Sequence, residues 1–185
     1  MKILKNEKAI VITGGPGMGK TAIIDHLRQS GHHFVAESGR QIIQHQLELN
    51  GNKLPWADQK GYAQEMFQTA INDYKLALKK QTLTFFDRGL PDVIGYLKLC
   101  KLPVPETIWR YAKTYLYFNK VFITPPWEEI YINDNERKQS FAEAVATYKV
   151  MVQVYSELAY EVIEVPRLTI EERANFILGR IIESG

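Results

Sequence analysis

Residues Gly14-Gly15-Pro16-Gly17-Met18-Gly19-Lys20-Thr21 form the pattern G-x-x-x-x-G-K-T, and they directly follow the apolar run Ala9-Ile10-Val11-Ile12. Helix-forming residues Ala22-Ile23-Ile24-Asp25-His26-Leu27 come next, so the local order is strand, glycine loop, helix. Glycines let the backbone curl until successive N–H groups point inward as an anion nest, and the helix N-terminus reinforces it. Lys20 then adds a point charge for the β- and γ-phosphates, and the Thr21 hydroxyl suits a Mg²⁺ ligand. All of Gly14, Gly15, Pro16, Gly17, Met18, Gly19, Lys20 and Thr21 are therefore candidate nucleotide-binding residues. A chain that carries this loop is constrained to an α/β architecture.

With 185 residues, 45% of them hydrophobic, the sequence suits one domain spanning residues 1–185. Its formal net charge is +2, and no basic run of the kind that marks a nucleic-acid arm is present. Cys100 is the single cysteine, which excludes an intrachain disulfide and a cysteine-based metal cluster. No apolar signal core occupies Met1 to Lys8, and no stretch is long enough to span a bilayer. A cytoplasmic protein is the expectation.

Apolar runs alternate with helical periods, the pattern of a parallel sheet of about five strands with helices on both faces. Strands are expected at Ala9 to Thr13, His33 to Ala36, Thr82 to Phe86, Lys120 to Thr124 and Tyr160 to Val165. Helices are expected from Lys20 to Ser30, Arg40 to Leu49, after a capping Asp58, Asp92 to Cys100, Pro105 to Lys113, Ser140 to Leu158, and after the capping box Thr169-Ile170-Glu171-Glu172. Ala63, Met66, Phe67, Ala70, Ile71, Tyr74 and Leu78 mark the clearest apolar stripe. On the helix from Ser140 the inward residues read as Phe141, Ala144, Val145, Tyr148, Val152 and Tyr155, and on the last helix as Ala174, Ile177, Leu178, Ile181 and Ile182. Between residues 125 and 139 no period holds and charge is dense, so this segment reads as a surface excursion suited to a lid.

Ligands of such sheets bind beyond the carboxyl ends of the strands. Asp87 ends an apolar strand and fits the acidic residue that holds Mg²⁺ together with Thr21. Arg88 follows where hydrolytic and motor ATPases commonly place an acid, and a guanidinium cannot accept a proton from water. It either neutralises charge on the phosphoryl group, binds an acceptor anion, or pairs with Glu37 or another carboxylate. Glu37 is the candidate general base for an acceptor hydroxyl, and a helix-initiating role is the alternative. Arg40, one turn on, would orient Glu37 or bind substrate. Arg137 and Lys138 in the excursion would bring cations over the phosphates, and Trp127 would stack on a base or cover apolar surface. His26, His32, His33 and His45 lack metal-site spacing.

Several of these stretches, taken jointly, resemble one family. They are the Gly-Gly-Pro-Gly-x-Gly-Lys-Thr loop, Val35-Ala36-Glu37-x-x-Arg40, Leu54-Pro55-Trp56, Phe85-Phe86-Asp87-Arg88-Gly89-Leu90-Pro91-Asp92, Pro125-Pro126-Trp127-x-x-Ile130-Tyr131 and Glu136-Arg137. The family is one of small bacterial ATPases filed among AAA-type domains and similar to ribosylnicotinamide kinase and other nucleoside kinases. That resemblance implies a kinase-like phosphate-loop fold, ATP or GTP as nucleotide, Mg²⁺, and site roles for the loop, Asp87, Glu37 and Arg137. No Asn-Lys-x-Asp guanine motif is present, which favours ATP. Phosphoryl transfer from ATP to a small nucleoside-like or other metabolite hydroxyl is the expected activity, with an NTP hydrolase or a nucleotide-dependent switch as alternatives.

Overall fold

A computed structural model describes residues 2–131 and 140–183. Arg137, Lys138 and the later half of the expected lid lie outside the described residues. In chain order the elements begin with β1 (Leu4–Lys5), β2 (Ala9–Gly14), α1 (Lys20–Gln29), β3 (His33–Val35), α2 (Ser38–Glu48), α3 (Gln59–Lys80) and β4 (Thr84–Asp87). They continue with α4 (Leu90–Leu99), α5 (Glu106–Ala112), β5 (Tyr115–Leu116), β6 (Lys120–Thr124), a 3₁₀ turn at Glu128–Ile130, α6 (Phe141–Glu157), β7 (Glu161–Glu164) and α7 (Ile170–Ile182).

The main sheet is parallel, in the order β3-β4-β2-β6-β7. Because side chains alternate along a strand, the central strands of a doubly covered sheet must be apolar on both faces, whereas the edge strands β3 and β7 keep exposed residues. Ala9 and Val11 of β2, with Phe86, Val121 and Ile123, pack towards α3, α4 and α6. Ile10 and Ile12, with Phe85 and Phe122, pack towards Ile23, Ile24 and Leu27 of α1 and Ala174 and Ile177 of α7. Three layers result, as the alternating pattern predicts.

Register sets the site. Ile12 lies beside Asp87, and Gly14 lies beside Thr124, so β2, β4 and β6 end side by side around the glycine loop. Asp58 caps α3 as expected, its carboxylate accepting from Gly61 N at 2.9 Å.

Two helix faces differ from the sequence pattern. On α6 the buried residues are Ala144, Thr147, Met151, Val154 and Tyr155, while Phe141, Val145, Tyr148 and Val152 are only partly covered. This helix touches both α4 and the sheet, so two partners rotate its buried arc away from the stripe of largest side chains. On α7 Ile182 is 78% exposed, and Arg173 is buried at 2% exposure. The inward face of α7 therefore includes Arg173 at its start and gives out before Ile182.

A two-stranded ladder of β1 with β5 carried no sequence signal, because two residues hold no period. Tyr74 fastens it to α3: its hydroxyl lies 2.9 Å from Leu4 O and 2.8 Å from Leu116 O. Burial, with Tyr160 and Tyr115 nearby, holds this phenol well above its ordinary value, so it stays a donor. Tyr74→Phe keeps the packing and leaves those carbonyls without the hydroxyl. A loss of about 1–3 kcal/mol is expected, visible as a fall of several degrees in Tm; an unchanged Tm would show that the clamp adds nothing.

Candidate functional site

The glycine loop is shaped by two contacts that admit no side chain. Gly14 has φ +131°, and a Cβ there would sit 2.4 Å from Thr124 Oγ1. Gly19 caps α1 in the left-handed region, φ +75°, and a Cβ would meet Arg173 Nη1 at 2.7 Å. No side chain caps α1, so its first N–H groups remain directed at the loop, the geometry of an anion site. Lys20 is buried and folds back over the loop, donating to Gly15 O at 2.7 Å and Gly14 O at 3.3 Å.

Two cavities open on either side of Lys20, which lines both. One, of about 880 Å³, is bounded by Gly17 to Ala22, Trp127, Ile130, Arg167 to Ile170 and Arg173. The other, of about 860 Å³, is bounded by Pro16, Glu37, Arg40, Asp87, Arg88 and the faces of α3 and α4. Thr21 thus belongs to the first cavity, and Glu37, Asp87, Arg88 and Arg40 to the second. Trp127 lies in the first cavity with its N–H 3.2 Å from Met18 Sδ and its ring 5.7 Å from the Arg173 guanidinium.

Asp87 ends β4 buried, and its Oδ1 has no hydrogen-bond partner among the described residues. Burial pushes its carboxyl up, Lys20 and Arg88 oppose that rise, and Glu37 and Asp92 add to it. An orphaned carboxylate oxygen at the strand end beside Lys20 fits a Mg²⁺ ligand, direct or through water. No cluster of three or more acidic, His or Cys side chains forms a metal site among the described residues.

Arg88 adopts φ +74°, and its guanidinium donates to Glu37 Oε1 at 3.0 Å, Gly14 O at 3.0 Å and Asp92 Oδ1 at 3.3 Å. Burial works against its charge, and the carboxylates of Glu37, Asp92 and Asp87 outweigh that, so the group is held above its ordinary value. The ion-pair alternative for Arg88 is therefore the arrangement present. Glu37 sits at the N-cap of α2 without a side-chain cap bond; its carboxylate turns to Arg88 instead of initiating the helix. Tyr62 stands close by, its phenol pushed up to about 12 by burial and by Glu37.

Sequence reasoning missed two residues. Asp92 accepts from the Thr13 hydroxyl, from Gly89 N at 2.8 Å and from Tyr155 Oη at 2.6 Å, beside its bond to Arg88. Its signal was the position three residues after Gly89, where a carboxylate caps the helix start. Arg173 donates to Met18 O at 3.1 Å, its Nε is buried without a partner, and no carboxylate pairs with it among the described residues. Burial pushes its guanidinium down. A buried cation without a carboxylate partner, packed on a glycine loop, would be balanced by an anion held there.

A parallel sheet ordered 3-4-2-6-7 around such a loop defines the phosphate-loop kinase fold. The chain belongs to the AAA domain family AAA_28, which matches residues 9–173. Among solved structures it is similar to the NadR protein in complex with NR, with TM-score 0.65 and 18% identity over 95% of this chain and 52% of that one. The chain thus spans about half of that protein. It is also similar to shikimate kinase from Acinetobacter baumannii in complex with shikimate, with TM-score 0.60, 18% identity, and 95% and 93% of the two chains covered. Deoxyadenosine kinase from M. mycoides, with products dcmp and a flexible dcdp bound, gives TM-score 0.62 and 16% identity over 96% of this chain and all of the other, 100%. No curated protein sequence matches. No helix among the described residues is long and apolar enough to cross a membrane.

Lys20→Ala removes the cation shared by both cavities, and titration calorimetry is expected to show loss of ATP binding or of turnover with Tm preserved. Unchanged affinity and turnover would remove the loop assignment. Arg173→Met keeps the stem and deletes the charge, with nucleotide affinity expected to fall about tenfold, or ~1.4 kcal/mol; a variant that binds ATP like the parent would make Arg173 a packing residue.

Proposed function

We propose that this protein is a Mg²⁺-dependent phosphotransferase that moves the γ-phosphoryl of ATP to a hydroxyl of a small nucleoside-like metabolite. The observation that carries the reading is the pair of cavities meeting at Lys20, one against the phosphate loop and one against Glu37. Two rooms and one shared cation suit a donor and an acceptor in line, whereas a hydrolase needs space only for water. The folds of NadR, shikimate kinase and deoxyadenosine kinase support it.

In this reading the first cavity takes the nucleotide, with the base between Trp127 and the Arg167-Leu168 side, and GTP the less favoured alternative. Loop amides, Lys20 and Arg173 hold the phosphates. Mg²⁺, held by Thr21 and Asp87, neutralises charge on the transferred group when bound. The second cavity holds the acceptor with its hydroxyl at Glu37. As the bond from the acceptor oxygen to phosphorus forms and the bond to the β-phosphate oxygen breaks, Glu37 takes the hydroxyl proton. Arg88 holds Glu37 in place and sets positive charge beside the phosphoryl. Arg137 remains a further cation for that charge. Positioning and charge supply most of the acceleration. The medium that fits these substrates is the cytoplasm.

A metabolite screen with ATP and Mg²⁺ tests the reading: acceptor-stimulated turnover with a phosphorylated product is expected, and turnover raised by no acceptor would overturn it. With an acceptor in hand, Glu37→Gln should lower single-turnover transfer by roughly 10²–10⁴-fold while ATP binding persists. Transfer at the parental rate would exclude Glu37 as the base. Asp87→Asn should move the Mg²⁺ dependence of turnover to higher concentration; superimposable titrations would make Asp87 structural.

A further inference from the structure

If the phosphotransferase reading holds, the second cavity is the acceptor's, and the charges on its walls constrain what that acceptor can be. Its lining includes five carboxylates, Glu37, Asp73, Asp87, Asp92 and Glu143, against three cations, Lys20, Arg40 and Arg88. Arg88 is already bonded to Glu37, Asp92 and Gly14 O, and Lys20 faces the phosphate loop. An anionic acceptor would therefore meet Lys20 and Arg88 only by displacing bonds that they already make.

Asp73 is the feature that the transfer chemistry leaves unused. It lies on α3 eleven residues after Tyr62, about 16 Å further along the helix axis at 1.5 Å per residue, and it lines the same cavity. Apolar residues share the cavity with it: Met66 and Ala70 precede it on the same helix face, and Val35, Phe86 and Leu99 belong to the same lining. No ion pair or hydrogen bond engages its carboxylate among the described residues, and burial raises its pKa. A half-buried carboxylate that no side chain engages, sharing the lining with apolar residues, is a polar group by which such a cavity can orient a ligand.

We infer that the acceptor is a neutral or cationic molecule, not an anion, that places an amino or cationic nitrogen against the Asp73 carboxylate while its hydroxyl lies at Glu37. Such a nitrogen satisfies Asp73 by a charge-assisted hydrogen bond, and the Cα–Cβ direction on a helix tips that carboxylate back towards the site. A site built to bond a donor rejects analogues that lack it, because its polar group is then partly desolvated by the ligand and left unpaired.

Ligand-observed NMR tests this with the protein held in Mg²⁺ and a non-hydrolysable ATP analogue. Adenosine and cytidine are compared with purine riboside and pyrimidin-2-one riboside, which lack only the exocyclic amine, and with the anionic hydroxy acid quinate. Amine-bearing members should bind at least tenfold more tightly than their amine-free partners, with quinate not binding. Asp73→Leu should abolish the difference and Asp73→Asn should reduce it, with thermal melting reporting that each variant folds. Equal binding within the pairs, discrimination that survives Asp73→Leu, preference for quinate, or no binding by any member overturns the inference. Transfer from ATP is measured separately. Asp73-dependent binding without transfer would retain the inference and remove the phosphotransferase reading, and transfer that ignores Asp73 would do the reverse.

Discussion

One buried carboxylate ties the site together. Asp92 receives the hydroxyls of Thr13 and Tyr155, the Gly89 amide and a guanidinium N–H of Arg88, and these come from β2, α6 and the β4–α4 turn. Each donor satisfies part of the desolvation cost of that charge, and removing one leaves the remainder exposed to the full penalty. The end of β2 is thereby fixed where the glycine loop begins. Arg88 is fixed as well, and through Arg88 so is the Glu37 carboxylate. The register of β2 with β4 and β6 then sets Asp87 and Thr124 on either side of the loop.

From that anchor the molecule divides into two sides. Towards α7 lie Trp127, Arg167 and Arg173. Arg173 bonds to Met18 O, and Arg167 donates to Pro126 O at 2.7 Å. The C-terminal helix thus holds the loop through Arg173, and the turn before that helix holds the segment after β6 through Arg167. Towards α3 and α4 lie Glu37, Arg88, Tyr62 and Asp73. Lys20 stands at the boundary, bonded to loop carbonyls that phosphate oxygens would replace as its partners.

Much of this was legible in the sequence, and the physical reasons differ by element. A phosphate loop is local: its glycines, Lys20 and the flanking strand and helix are adjacent in the chain, so spacing alone reveals it. The central strands β2, β4 and β6 were legible because burial on both faces makes them nearly continuous apolar runs, and α3 because a long helix displays its period. The Glu37–Arg88 pair was foreseen only as an alternative, since its members are separated by 51 residues. Asp92 and Arg173 escaped because their roles depend on which elements meet. A buried arginine on an amphipathic helix looks like a solvated one until its neighbour proves to be a glycine loop. Rotation of the buried face of α6 escaped for the same reason, being set by two partners at once. Roles assigned to Arg137 and Lys138 fall outside the described residues.

A crystal structure with Mg²⁺ and a non-hydrolysable ATP analogue tests the central claim most directly. The account predicts the phosphates on the loop amides with Lys20 turned from Gly15 O to the terminal phosphates, the base beside Trp127 and Leu168, and the γ-phosphate facing an open second cavity at Glu37. A base seated in the second cavity between α3 and α4, or a γ-phosphate closed off from Glu37, would contradict it.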